Sequence, residues 1–136
     1  MGTEENRELV RQAFDALAQA DGKPFLDLMA EDFSWIIEGQ SKWSRRYEGK
    51  DAVRHELFRP LFQNFAMPYR NRAEEIIADG ERIVVLCQGE VKTIRGENYN
   101  NDYCYVIRMR DGKMIELREY MDTALAEAVL ELPAAV

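Results

Sequence analysis

Glu119 is the residue whose setting points most directly to chemistry. Along 115–121 the side chains alternate with period two, so Ile115, Leu117, Glu119 and Met121 share one face of a strand, while Glu116, Arg118, Tyr120 and Asp122 share the other. Glu119 alone breaks the apolar set. An acid among apolar and aromatic side chains loses hydration, its pKa rises, and it becomes a candidate general acid or base.

Its neighbours depend on the turn of the hairpin that the stretch 100–122 predicts. A three-residue loop Arg110-Asp111-Gly112, with Gly112 supplying a positive φ, sets Tyr103 opposite Glu119 and Tyr105 opposite Leu117. A two-residue Asp111-Gly112 turn brings up Cys104 and Val106 instead. The first register is preferred because it gathers Tyr103, Tyr105 and Ile107 on the apolar side. Either tyrosine then becomes a candidate to orient a carbonyl or hydroxyl beside the acid.

Other reactive groups are sparse. Cys87 and Cys104 sit inside strand-like runs and read as reduced core residues rather than a disulfide or a metal pair. With one histidine, His55, and no Cys-x-x-Cys or His-x-x-x-His spacing, neither a metal nor a cofactor is expected. The formal charge of −7 disfavours nucleic acid and anionic membrane surfaces as partners, since both need a basic footprint. No apolar run is long enough to span a bilayer and no leader pattern opens the chain, so a cytoplasmic protein is expected. At 136 residues, 46% hydrophobic and 32% charged, one domain over 1–136 is expected.

The elements that must position these groups follow from caps, breakers and periodicity. Thr3 is expected to cap a first helix that carries Glu4 and Glu5 in its first turn, runs to about Ala20 and buries Val10, Ala13, Phe14 and Leu17. Asp21-Gly22 ends it. Lys23-Pro24 opens a short helix through Ala30, and a strand follows from about Phe33 to Glu38. A loop over 39–49 holds Trp43, Tyr47 and Arg45-Arg46. A third helix is expected from about Lys50 to Phe65, interrupted by Pro60. Four strands then follow at about 70–78, 81–94, 100–110 and 113–121, with Asp122 capping a last helix over 123–130 ahead of Pro133 and a frayed tail over 131–136. Helices first and antiparallel strands last indicate an α+β fold, with helices on one face of a sheet.

Four pieces of the sequence, in this order and spacing, carry a resemblance. They are the opening helix 8–21 ending in Asp-Gly; Asp32-Phe33-Ser34-Trp35 leading to Gly39; Tyr47-Glu48-Gly49-Lys50-Asp51-Ala52-Val53; and Asp111-Gly112-Lys113 through Glu119-Tyr120-Met121-Asp122. The chain resembles the nuclear transport factor 2-like superfamily, and within it the SnoaL-like polyketide cyclase and ketosteroid isomerase-related proteins. The resemblance implies a cone: a curved mixed or antiparallel sheet wrapped on the long third helix, as in a cystatin-like α+β barrel. The cone would open on a mostly apolar cavity for a small hydrophobic molecule, and a homodimer would form through the outer sheet face.

It also implies roles. Glu119 falls where related cyclases and epoxide hydrolase-like members place a catalytic aspartate. Glu38 falls near the proton-moving aspartate of the ketosteroid isomerases. Two departures stand out: Phe14 occupies the approximate place of the isomerases' helix-borne tyrosine, and Tyr105 or a neighbour replaces their aspartate. Gln88 stands where epoxide hydrolase-like relatives carry an arginine, with Glu90 two residues on. Trp35, Trp43, Tyr47, His55, Phe58, Leu117 and Phe14 make up the expected ligand-binding set. The function implied is cofactor-free acid/base chemistry of isomerase, cyclase or hydratase type, with a non-catalytic ligand-binding or dimeric accessory module as the alternative.

Overall fold

The computed structural model describes residues 1–132. Helix α1 (Thr3–Leu17) begins with Gly2, not Thr3, as N-cap; the Glu5 carboxylate accepts from the Gly2 N–H at 3.2 Å. The Thr3 hydroxyl is engaged elsewhere, accepting from the Gly80 N–H at 2.9 Å. The helix stops earlier than Ala20 because that residue sits in the left-handed region, with φ of 65°. Helix α2 (Lys23–Asp27) is short because strand β1 (Met29–Ile37) already begins two residues later. Within the expected loop over 39–49, a short strand, β2 (Arg46–Glu48), pairs antiparallel with β1.

The third helical segment spans 50–62 rather than reaching Phe65, and its middle is widened. Lys50–Ala52 (α3) and Arg59–Phe62 (α4) flank a π-helical stretch, Val53–Phe58. Pro60 follows two residues after Phe58; it has no N–H to donate, and its ring crowds the carbonyl four residues back in a regular helix. The wide turn absorbs that conflict without ending the helix.

Strands β3 (Arg70–Asp79), β4 (Arg82–Glu90), β5 (Asp102–Arg110) and β6 (Lys113–Met121) form an antiparallel meander, and helix α5 (Thr123–Val129) closes the described chain with Asp122 as its cap. The strand order is β2-β1-β6-β5-β4-β3, with β1 parallel to β6, so one curved mixed sheet of six strands results. Its inward side chains, among them Ile83, Val85, Tyr103, Tyr105 and Ile107, pack with Val10, Phe14, Phe25, Val53 and Leu57 into the core. Leu130, Glu131 and Leu132 follow α5; Pro133 and the rest of the expected frayed tail lie outside the described residues. Glu131 is tied down, its N–H donating to Asn64 and its carboxylate bridging to Arg95.

The β5–β6 hairpin corrects the expected register. The turn has two residues, with Asp111 at φ 50° and Gly112 at φ 77°, which pairs Arg110 with Lys113. Left unbroken, that pairing would set Cys104 opposite Glu119. A bulge at Ile115 adds one residue to β6, so Tyr105 faces Glu119, Tyr103 faces Met121 and Ile107 faces Leu117. Met114, not Ile115, is buried on the inner face. Among the described residues, no helix is long and apolar enough to cross a membrane.

Candidate active site

Between the sheet and the helices lies a cavity of about 290 Å³, near the lower end of small-molecule pockets. Leu57, Phe58, Leu61 and Phe62 line it from the third helical segment, and Leu17, Phe25 and Leu26 from the first two helices. The sheet contributes Trp35 and Ile37 from β1, Tyr103 and Tyr105 from β5, and Glu119 and Met121 from β6. Trp43, Tyr69, Tyr99 and Leu130 reach it from loops.

Glu119 is the acid of this apolar chamber and is 6% exposed. Its Oε1 accepts from the Trp35 indole N–H at 2.9 Å. Burial pushes its pKa up to about 7, and the Trp35 hydrogen bond, which favours the carboxylate, opposes that rise. Trp35 is itself fixed edge-on against Tyr105 and Phe58, with ring centroids 5.6 and 5.5 Å away. The carboxyl therefore has a set orientation and a pKa at which it can either take or give a proton near neutrality.

Four tyrosines line the same cavity. Tyr105 stands directly across the ladder and Tyr103 two residues along β5, their ring centroids 5.3 Å apart. Burial holds both phenols well above their ordinary pKa, so they remain O–H donors. The Tyr99 hydroxyl accepts from Asn101 Nδ2 at 3.0 Å, and burial raises its pKa to about 12. The Tyr69 hydroxyl accepts from Asn71 Nδ2 at 3.1 Å. Two polar atoms of cavity-lining residues, Trp43 Nε1 and Asn71 Oδ1, are buried without a hydrogen-bond partner among the described residues.

Of the expected site residues, Glu119, Tyr103, Tyr105, Trp35, Trp43 and Phe58 line the cavity. The others do not, each for a physical reason. Glu38 follows inward-facing Ile37, so parity turns it out of the cavity, where Arg118 holds it at 2.9 Å. Phe14 is core packing behind the wall, its ring centroid 5.6 Å from that of Phe25 and 6.2 Å from that of Tyr105. Tyr47 is a strut: its hydroxyl donates to the Trp43 carbonyl at 2.9 Å, and Arg45 caps its ring. Leu117 is fully buried among core side chains, and His55 faces solvent on the outside of the π-helical stretch. Gln88 also points away, donating to Asp102 at 3.0 Å.

Tyr69, Asn71 and Tyr99 were missed. Asn71 breaks an inward face just as Glu119 does, but the β3 bulge between Ala73 and Glu75 scrambles the parity that would reveal it. Tyr69 and Tyr99 lie outside the strands, where alternation gives no signal. No group of three His, Cys, Asp or Glu residues among the described ones is placed to hold a metal ion.

The SnoaL-like domain model matches residues 10–117, which runs from α1 into the strand that carries Glu119. The chain belongs to this family. As a SnoaL-like protein it shares the nuclear transport factor 2-like architecture with solved structures that it matches over nearly their full length. Bal32a, from a soil-derived mobile gene cassette, is 20% identical with a TM-score of 0.80, covering 95% of this chain and 98% of its own. A nuclear transport factor 2-like protein of unknown function from Burkholderia pseudomallei is 25% identical with a TM-score of 0.78, covering 93% and 97%. TerC, co-crystallised with polyporic acid, is 23% identical with a TM-score of 0.77, covering 92% and 97%. A search of curated proteins finds no match to this SnoaL-like sequence.

Proposed function

We propose that this SnoaL-like protein binds a small, largely apolar molecule in its cavity and moves a proton on it without a cofactor, in an isomerase, cyclase or hydratase type of reaction. One observation carries the reading: a single buried carboxyl, with a pKa near 7, in an otherwise apolar and aromatic chamber. Glu119 is the shuttle. Its base form removes a proton from carbon, and the resulting acid returns that proton to another atom of the bound molecule. Tyr103 and Tyr105 donate hydrogen bonds to the oxygen on which negative charge gathers. Trp35 holds Oε1 and leaves the second oxygen of Glu119 to do the transfer.

The reaction is testable before the natural substrate is known. Alicyclic and aryl ketones incubated with the protein in D2O should exchange their α-protons, read by NMR. The rate should rise through an apparent pKa near 7, and Glu119→Gln should abolish it. Equal exchange by Glu119→Gln and the parent would remove Glu119 from the mechanism.

A second reading, binding without turnover, is favoured by the engagement of Oε1 with Trp35, which also suits a fixed acceptor for a ligand hydroxyl. Tight ligand binding with no exchange in any probe would select it. Under either reading a homodimer through the outer sheet face is expected. Ile77, Leu86 and Tyr120 supply exposed apolar surface there, and Leu86→Lys should then reduce the mass found by light scattering to that of a monomer.

A further inference from the structure

Asn71 and Tyr69 form a polar pair at the corner of the sheet away from Glu119. Asn71 lies on the edge strand β3, opposite Gly89 of β4, whereas Glu119 lies on β6 opposite Tyr105. Asn71 is 1% exposed and lines the cavity. Its Nδ2 donates to the Tyr69 hydroxyl at 3.1 Å, and its Oδ1 is buried with no partner among the described residues. A buried acceptor without a donor is costly and calls for one.

Gly89 makes the pair feasible. A Cβ at that position would come within 2.7 Å of Tyr69 Oη and 3.1 Å of Tyr103 Cε2. The absence of a side chain there lets the Tyr69 hydroxyl settle against the sheet beside Asn71. Because that hydroxyl accepts from Asn71, its own proton is left to donate, and the Tyr103 phenol is the other group that reaches it. The pair therefore offers one donor, the Tyr69 O–H, and one acceptor, Asn71 Oδ1. If the amide is turned over, the balance is unchanged: Nδ2 is then the free donor and the Tyr69 oxygen the free acceptor.

We propose that Asn71 and Tyr69, seated over Gly89, are a binding subsite for a hydroxyl group of the ligand. A hydroxyl is the smallest group that can donate and accept at one atom, so it satisfies both members at once. The ligand class narrows accordingly to small alicyclic or aromatic alcohols and phenols, whose hydroxyl lies at the end remote from Glu119. Such a site rejects analogues lacking the hydroxyl, because its buried polar groups are then left unpaired. This rests on the reading that the cavity takes a small apolar molecule.

Thymol, para-cymene and thymol methyl ether test it, since they share a skeleton and differ in the hydroxyl. By calorimetry, thymol should bind about tenfold tighter than the other two. Asn71→Leu and Tyr69→Phe should each erase the preference, bringing thymol and para-cymene to the same affinity, and Glu119→Gln, which leaves the pair intact, should keep it. If Asn71→Leu fails to fold by circular dichroism, Tyr69→Phe decides, because it retains the ring. Para-cymene binding with no preference for thymol overturns the subsite alone. So does a preference that survives Tyr69→Phe or disappears in Glu119→Gln. Binding of none of the three overturns the pocket reading beneath it.

Discussion

At the scale of single residues, Glu119 makes stability depend on pH. Its folded-state pKa of about 7 lies above the ordinary 4.5, so the folded chain holds this proton more tightly than the unfolded one. The contribution is complete below the ordinary value, declines as pH rises, and is lost once pH passes the folded value. A shift of this size corresponds to about 3 kcal/mol. Glu119→Gln, neutral throughout, should flatten that decline and be the more stable protein at about pH 8, with little difference at about pH 4, read by urea denaturation. Trp35→Phe keeps the ring but removes the donor to Oε1. It should raise the Glu119 pKa further, by about one unit, in an NMR titration of the carboxyl carbon. Glu119 was legible in the sequence because it violates alternation. Its hydrogen bond to Trp35 was not, since no pattern links two residues 84 positions apart until β1 and β6 pair.

At the scale of elements, the hairpin shows how pattern and count contribute separately. Alternation placed Tyr103, Tyr105, Leu117 and Glu119 on one face, and they share it. The loop length is not legible, because a two-residue turn plus a bulge keeps the same residues on the inner face as a three-residue loop while moving the register by two, so that Tyr105 rather than Tyr103 lies opposite Glu119, and nothing at Ile115 announces the extra residue. Similarly, Pro60 marks a disturbance in the third helix, but whether the chain kinks, breaks or widens depends on what packs around it. Glu38, Phe14, Tyr47, His55 and Leu117 were placed by analogy or by type, and the facing of each element assigns them elsewhere. Gly89 yields a prediction at this scale. Gly89→Ala adds a methyl group against the Tyr69 hydroxyl and the Tyr103 ring, both confined by the core. It should cost about 1–3 kcal/mol in denaturation and weaken thymol binding more than para-cymene binding.

For the whole molecule, order and spacing of elements were enough to place the chain in its superfamily, because a mixed sheet needs its crossover helices in a set sequence whatever the side chains. The lining of the cavity is a different kind of property: it is assembled from β1, β3, β5, β6, three helices and several loops, so it exists only after the sheet has curved. The chain as a whole is acidic, with a net charge of −7, yet its interior acid stands apart from that surface, governed by burial rather than by neighbouring charges. One consequence concerns the heat of binding. Near neutral pH the molecules divide between those with Glu119 protonated and those with it ionised. An apolar guest that displaces the last water from the chamber favours the protonated form, so filling the cavity should draw protons from solution. The measured enthalpy would then vary with the ionisation enthalpy of the buffer at about pH 7, and the variation would vanish in Glu119→Gln. A single carboxyl would thus turn the occupancy of a greasy chamber into a proton signal that the bulk solvent can register.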